Sequence, residues 1–132
     1  MGQYFLIADL DKKEYLDPLI MGSGLKLWEI CATRVGSALV YLLRRSSDRG
    51  GGDIHLEVPV FAGRWAGDRI VVIGDYDESH LFSEVSETFK EISEGVASEF
   101  NAFMQRPDLR LPIDEDQKRL RKEISELKKE GG

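Results

Sequence analysis

The hydrophobic pattern changes period several times along the 132 residues, and each change marks an element. Gln3 to Asp9 (QYFLIAD) is short, aromatic and β-branched, as strands are. A charged turn, Asp9 to Glu14, separates it from Glu14-Tyr15-Leu16-Asp17, which reads as a second strand returning beside the first. Pro18 and Met21-Gly22-Ser23-Gly24 then interrupt the chain. From Leu25 the spacing becomes helical: Leu25, Trp28, Cys31 and Ala32 recur on one face, with Ser23 expected as N-cap. A second helical pattern runs from Ser37 through Ala38, Leu39, Tyr41, Leu42 and Leu43 to Arg44 and Arg45. Gly36 is either a break between the two or a weak spot in one.

Ser46 to Asp53 (SSDRGGGD) predicts a loop, since three adjacent glycines favour neither helix nor strand. Ile54, Leu56, Val58 and Val60 alternate, which predicts a strand held to a sheet edge by Pro59. Arg69-Ile70-Val71-Val72-Ile73 is a continuous apolar run closed by Gly74, the pattern of a strand buried on both faces or packed centrally in a sheet. From Phe82 the apolar steps to Val85, Phe89, Ile92, Val96, Phe100 and Phe103 are 3, 4, 3, 4, 4 and 3, which predicts one helix with one stripe. Gly95 within it implies a close approach or a bend. Asp114 is placed to cap a last helix to about Lys129, with Gln117 completing a capping box. Its apolar side chains, Leu120, Ile124 and Leu127, form a seam too narrow to be stable alone, so it is expected on the domain or on a partner.

The expected architecture is α+β: a small, mainly antiparallel sheet of about four strands packed on helices, with a helical C-terminal extension. The expected division is one domain over 1–106 and the extension over 107–132. Hydrophobic residues at 42% and charged residues at 32% are enough for a core. A net charge of -6 argues against general nucleic-acid binding, which depends on neutralising phosphates. No apolar stretch nears the ~18 residues of a membrane span. The start carries no basic leader region, and the expected location is cytoplasmic. Cys31 is the only cysteine, so no intrachain disulfide forms, and its apolar neighbours predict burial.

Three segments carry a resemblance: Gly2-Gln3-Tyr4-Phe5 with Leu10-Asp11-Lys12-Lys13-Glu14-Tyr15-Leu16; Gly24-Leu25-Lys26-Leu27; and Arg49 to Asp53 with Gly63-Arg64-Trp65-Ala66-Gly67-Asp68-Arg69-Ile70 and Gly74-Asp75-Tyr76. Over about the first 80 residues the chain resembles a group of small proteins of unassigned function from archaea, bacteria and their viruses. The resemblance implies a shared fold and a shared site, with no activity attached.

Candidate chemistry lies in the turns. Asp11, Asp75 and Asp77 would supply oxygen donors for Mg2+ or Ca2+ if the first strand and the apolar run are neighbours and their ends meet. The plain alternative is that Asp accumulates at turns because its side chain bonds local backbone. Arg49 and Gly51 in the glycine loop, with Arg64, would suit a phosphate, although the loop lacks the P-loop ending. Around Trp65, Arg64 and Arg69 bracket Asp68, so a local ion pair would hold the loop with Trp65 folded onto the sheet. The functional reading makes Trp65 an exposed anchor for a partner. The two histidines, His55 and His80, offer no catalytic pairing. Two functional classes remain. The favoured one is a non-enzymatic interaction or regulatory protein without a cofactor, binding a protein partner or itself through the Trp65 loop, the glycine loop and Leu120, Ile124 and Leu127. The other is a divalent-metal-dependent phosphate- or nucleotide-binding or hydrolytic domain.

Overall fold

The computed structural model describes residues 3–45, 59–104 and 107–131, the side chains of 125 and 128–131 excepted. The fold is α+β. Its four-stranded sheet has the order β3-β1-β2-β4, where β1 is Phe5–Asp9, β2 Glu14–Leu16, β3 Ile70–Gly74 and β4 Lys90–Glu91. The pairs β1–β2 and β1–β3 are antiparallel, and β2–β4 is parallel. The expected hairpin is therefore present, with Ile7 opposite Leu16 and Asp9 opposite Glu14.

The apolar run at 70–74 is not the interior strand. Among the described residues it lies at the sheet edge, and Val72 is 42% exposed. The interior position belongs to β1, where Leu6, Ile7, Ala8 and Asp9 are all buried. Alternation explains how so short a strand serves two cores. Ile7 joins Leu16, Leu42, Trp65, Val96 and Phe100 on one face of the sheet. Leu6 and Ala8 join Ile73, Val85 and Phe89 on the other.

The helical segments are α1 (Leu27–Ala32), α2 (Val35–Leu43), α3 (Leu81–Thr88), α4 (Ser93–Met104) and α5 (Glu115–Gly131). The stripe from Phe82 to Phe103 thus spans two helices, not one. The chain is extended at Phe89 (φ -78°, ψ 154°), and β4 pairs with β2 before α4 begins. Lys90 donates to the Lys13 carbonyl at 2.9 Å and Ile92 to the Tyr15 carbonyl at 3.0 Å. The break has a packing cause: Phe82, Val85 and Phe89 serve the second core, while Ile92, Val96 and Phe100 serve the first. A continuous helix could not cross from one face of the sheet to the other. Gly95 marks a close approach, because a Cβ there would sit 2.7 Å from the Phe61 ring.

The edge strand expected at Ile54–Val60 is not confirmed: 54–58 lie outside the described residues, Pro59 and Val60 are not in a strand, and β4 is the fourth strand. Ser23 does not cap α1. Its hydroxyl donates to the Gly24 carbonyl at 2.8 Å, and the helix starts four residues later at Leu27. The gap between the first two helices falls at Thr33–Arg34, leaving Gly36 within α2. Asp114 caps α5 as expected, accepting the Gln117 amide at 3.0 Å. The approach to α5 belongs to the domain's packing: Leu111 is buried in the first core, and Asn101 holds its backbone amide and carbonyl at 2.7 and 3.0 Å. Among the described residues, no helix is long and apolar enough to cross a membrane.

Candidate functional site

Of the residues singled out in the sequence, Asp11, Arg64, Trp65 and Asp68 come together where the β1–β2 turn faces the 63–69 loop. Gly63 (φ 75°) and Gly67 (φ 83°) take the left-handed conformation that lets this loop fold back. Amides of Gly63 and Trp65 donate to the Tyr41 and Leu42 carbonyls, each at 3.0 Å, using acceptors that the last turn of α2 leaves open. Trp65 is thereby delivered to the first core, where it is completely buried. It is not an exposed anchor. Its indole Nε1 donates to Glu14 Oε1 at 2.9 Å, and Arg64 donates to the same carboxylate through Nε (2.9 and 3.0 Å) and Nη2 (2.7 Å). Burial pushes the Glu14 carboxyl up, but the Arg64 and Trp65 bonds outweigh it and hold the group below its ordinary range.

The ion pair expected between Asp68 and its neighbours Arg64 and Arg69 does not form. Asp68 pairs with Lys12, while Arg69 pairs with Asp11, its Nε donating to Oδ1 at 2.9 Å and its amide to Oδ2 at 2.8 Å. Each pair joins the hairpin turn to the loop. Alternating carboxylates and cations on opposed segments make a clasp rather than an open anion site. For Arg64, the phosphate-binding expectation is therefore corrected: its guanidinium grips Glu14. Arg49 and Gly51 lie outside the described residues.

Asp9 sits beneath this clasp, completely buried. Its Oδ1 accepts the Asp11 and Lys12 amides, each at 2.8 Å, whereas its buried Oδ2 meets no donor among the described residues. When Asp9 is protonated on Oδ2, that proton has Asp68 as its acceptor. Burial, then Asp68, raise the Asp9 carboxyl, while the bond from Asp9, then Lys12, lower that of Asp68. The two titrate as a pair. Because the folded Asp9 holds its proton more tightly than the unfolded one, it contributes stability below the ordinary Asp value, lost as pH rises through its raised folded value. Asp68 contributes the opposite: stability above that value, lost as pH falls through its depressed one. Asp9→Asn keeps both the acceptor and the donor without a titrating proton. Urea unfolding at a series of pH values is expected to show the variant gaining on the wild-type protein as pH rises above about 4. A difference independent of pH would remove the shared proton.

The metal expectation fails on strand direction. The first strand and the apolar run are neighbours, as required, but they are antiparallel: Asp9 faces Ile70 and Phe5 faces Gly74. Asp11 therefore lies at one end of the pair and Asp75 at the other, roughly 13–16 Å apart along a five-residue strand. Asp75 Oδ1 accepts the Tyr4 amide at 3.0 Å, and Asp77 Oδ1 accepts the amide and hydroxyl of Ser79. Among the described residues, no three His, Cys, Asp or Glu side chains are placed to hold a metal ion.

One polar residue the sequence reading missed is Glu99 on α4. Its carboxylate accepts the amides of Val60, Phe61 and Ala62 and the Tyr41 hydroxyl. Its position in the pattern marks only the flank of an apolar stripe, so no local signal distinguishes it.

The larger uncovered features are apolar. Trp28 is 68% exposed beside exposed Leu27 and Cys31 on α1, so the buried Cys31 expected from its neighbours is corrected. Only Ile30 of that helix is buried. On α2, Val40 is 71% exposed and Leu43 is also uncovered. On α5, Leu120, Ile124 and Leu127 are exposed along the helix, as a seam awaiting cover would be. No family model, curated protein or solved structure matches the chain. The signal that would have located the α1–α2 surface is the composition of α2, Val35–Leu43, which has no charged residue. A helix apolar on every side needs cover on every side.

Proposed function

We propose that this chain is a non-enzymatic protein-interaction module, cytoplasmic, that docks a protein partner or a second copy through the outer faces of α1 and α2. The observation that carries this reading is the exposed tryptophan: Trp28, with Leu27 and Val40, presents large apolar side chains to solvent. Exposed apolar groups in this number and size mark interaction surfaces, and tryptophan is the side chain most enriched among binding hot spots. The polar residues of the hairpin clasp are committed to one another, whereas these are committed to nothing among the described residues. The seam on α5 offers a second surface for the same purpose. The metal-dependent phosphate-handling alternative would need Asp11 to meet Asp75 and Asp77, which the antiparallel pairing separates.

Sedimentation velocity over a wide concentration range, together with crosslinking of the tagged protein in its host, tests this. The expected result is a self-associated or partnered species that Trp28→Ala weakens about 30-fold, as loss of a hot spot of ~2 kcal/mol does, without a change in melting temperature. Leu120→Ser with Leu127→Ser reads the α5 seam separately. A monomer at every concentration, with crosslinked species identical in the wild-type and Trp28→Ala proteins, would withdraw the reading.

A further inference from the structure

On the sheet face opposite Trp65, α3 and α5 stand apart and leave a groove of about 800 Å3. Its floor is Leu6 of β1 and Tyr15 of β2; Phe82 and Phe89 line the α3 side, and Ile124 the α5 side. The size suits a small organic ligand, since such sites run from about 300 to 1,000 Å3 with apolar walls and a few polar groups.

The polar groups select the ligand's charge. Asp17, Asp75 and Glu87 line the groove against one cation, Arg121. That cation is engaged: Arg121 Nε lies 2.9 Å from Asp17 Oδ2, and the Asp17 side chain is almost wholly buried. Asp75 and Glu87 therefore have no cation among the lining residues to oppose them. Four aromatic side chains, Tyr4, Tyr15, Phe82 and Phe89, share this lining. Aromatic faces attract cations, and most strongly where water is displaced. Burial pushes the Tyr15 phenol up to about 12, so it stays neutral at physiological pH and adds no competing negative charge. An anion would meet a lining with two carboxylates in excess, and a neutral ligand would use only the walls.

We propose that this groove binds an organic ammonium ion with an apolar body. The Asp75 and Glu87 carboxylates take the charge, and the aromatic and aliphatic walls take the body. This site is distinct from the α1–α2 surface and rests on different residues.

The test compares three probes of similar size on the full chain: 2-phenylethylamine (protonated at pH 7), 2-phenylethanol and 3-phenylpropionate, by calorimetry and by shifts of the Leu6, Tyr15 and Phe89 amide resonances. The ammonium probe is expected to bind at least about fivefold tighter than the other two, to weaken with salt, and to lose about fivefold in the combined Asp75→Asn, Glu87→Gln variant. Both substituted side chains are exposed, and Asn keeps the acceptor for the Tyr4 amide, so the variant is expected to melt as the wild-type protein does. Equal binding of the alcohol would reduce the groove to a plain apolar cleft. Tighter binding of the carboxylate would make Arg121 the selecting group, and absence of binding by all three would remove the site. Each of these overturns the proposal, and none bears on the Trp28 experiment.

Discussion

Trp65→Ala is expected to lower the unfolding free energy by about 3–5 kcal/mol, the cost of emptying a buried aromatic site. The side chain has no solvent exposure, and its neighbours, Leu42 on α2 and Val96 and Phe100 on α4, are held by their own helices and cannot close the space. The indole also satisfies one oxygen of Glu14. Trp65→Phe keeps most of the volume and removes only that bond, so its cost should be smaller, about 1–3 kcal/mol. Glu14→Gln removes the charge that Arg64 grips and acts at the same point. Combining Trp65→Phe with Glu14→Gln should give a loss unequal to the sum of the two, because both alter the bonds made by one side chain, Glu14. Urea denaturation followed by circular dichroism measures all four proteins. A loss below about 1 kcal/mol for Trp65→Ala would place Trp65 outside the core and undo the account of the loop.

The same residue shows what local pattern can and cannot convey. A tryptophan between two glycines and an arginine favours a folded loop but does not exclude an exposed anchor, because burial depends on Glu14, 51 positions away. Trp28 is the mirror case. Its spacing with Leu25 and Cys31 resembles a core face, but α1 is only six residues long and buries Ile30 alone. The period reports which residues share a side, not which side is covered. Elements whose partners are close in sequence were legible: the hairpin, the Asp114 cap and the seam on α5 all arise from local signals. Strand order was not, since β3 has the more apolar run while β1 has two neighbours. The split between α3 and α4 was hidden for a related reason. A helical period continues in phase across the break, and only the existence of two cores forces Phe89 and Ile92 to opposite faces. For the candidate site, the segments 9–14 and 64–69 lie against each other, and the pairing of charges across them depends on how the two turns oppose each other.

Glu99→Ala is the second substitution expected to be severe, at about 3 kcal/mol or more, although the residue is only half-buried. Its carboxylate gathers three consecutive backbone amides, from Val60, Phe61 and Ala62, together with the Tyr41 hydroxyl at 2.8 Å. Bonds to a charged acceptor contribute more than neutral ones, and each donor left buried without a partner costs on the order of 1–3 kcal/mol. The clamp also acts on the neighbouring loop. Residues 60–62 lead directly into Gly63, so their attachment to α4 orients the segment that carries Trp65 inward, while Gly95 admits the Phe61 ring against the same helix. Glu99→Gln should fall between the two, since an amide presents one oxygen to four donors and turns its own N–H groups toward others. Two readings besides stability separate the clamp from a simple loss of helix packing. Amide hydrogen exchange at Phe61 and Ala62 should accelerate in both variants. The Tyr41 phenol, raised by burial and then by its bond to Glu99, should titrate at lower pH in Glu99→Gln than in the wild-type protein, because the acceptor that favours its protonated form has lost its charge. An unchanged Tyr41 titration in a destabilised Glu99→Gln protein would assign the loss to α4 packing and leave the clamp without support.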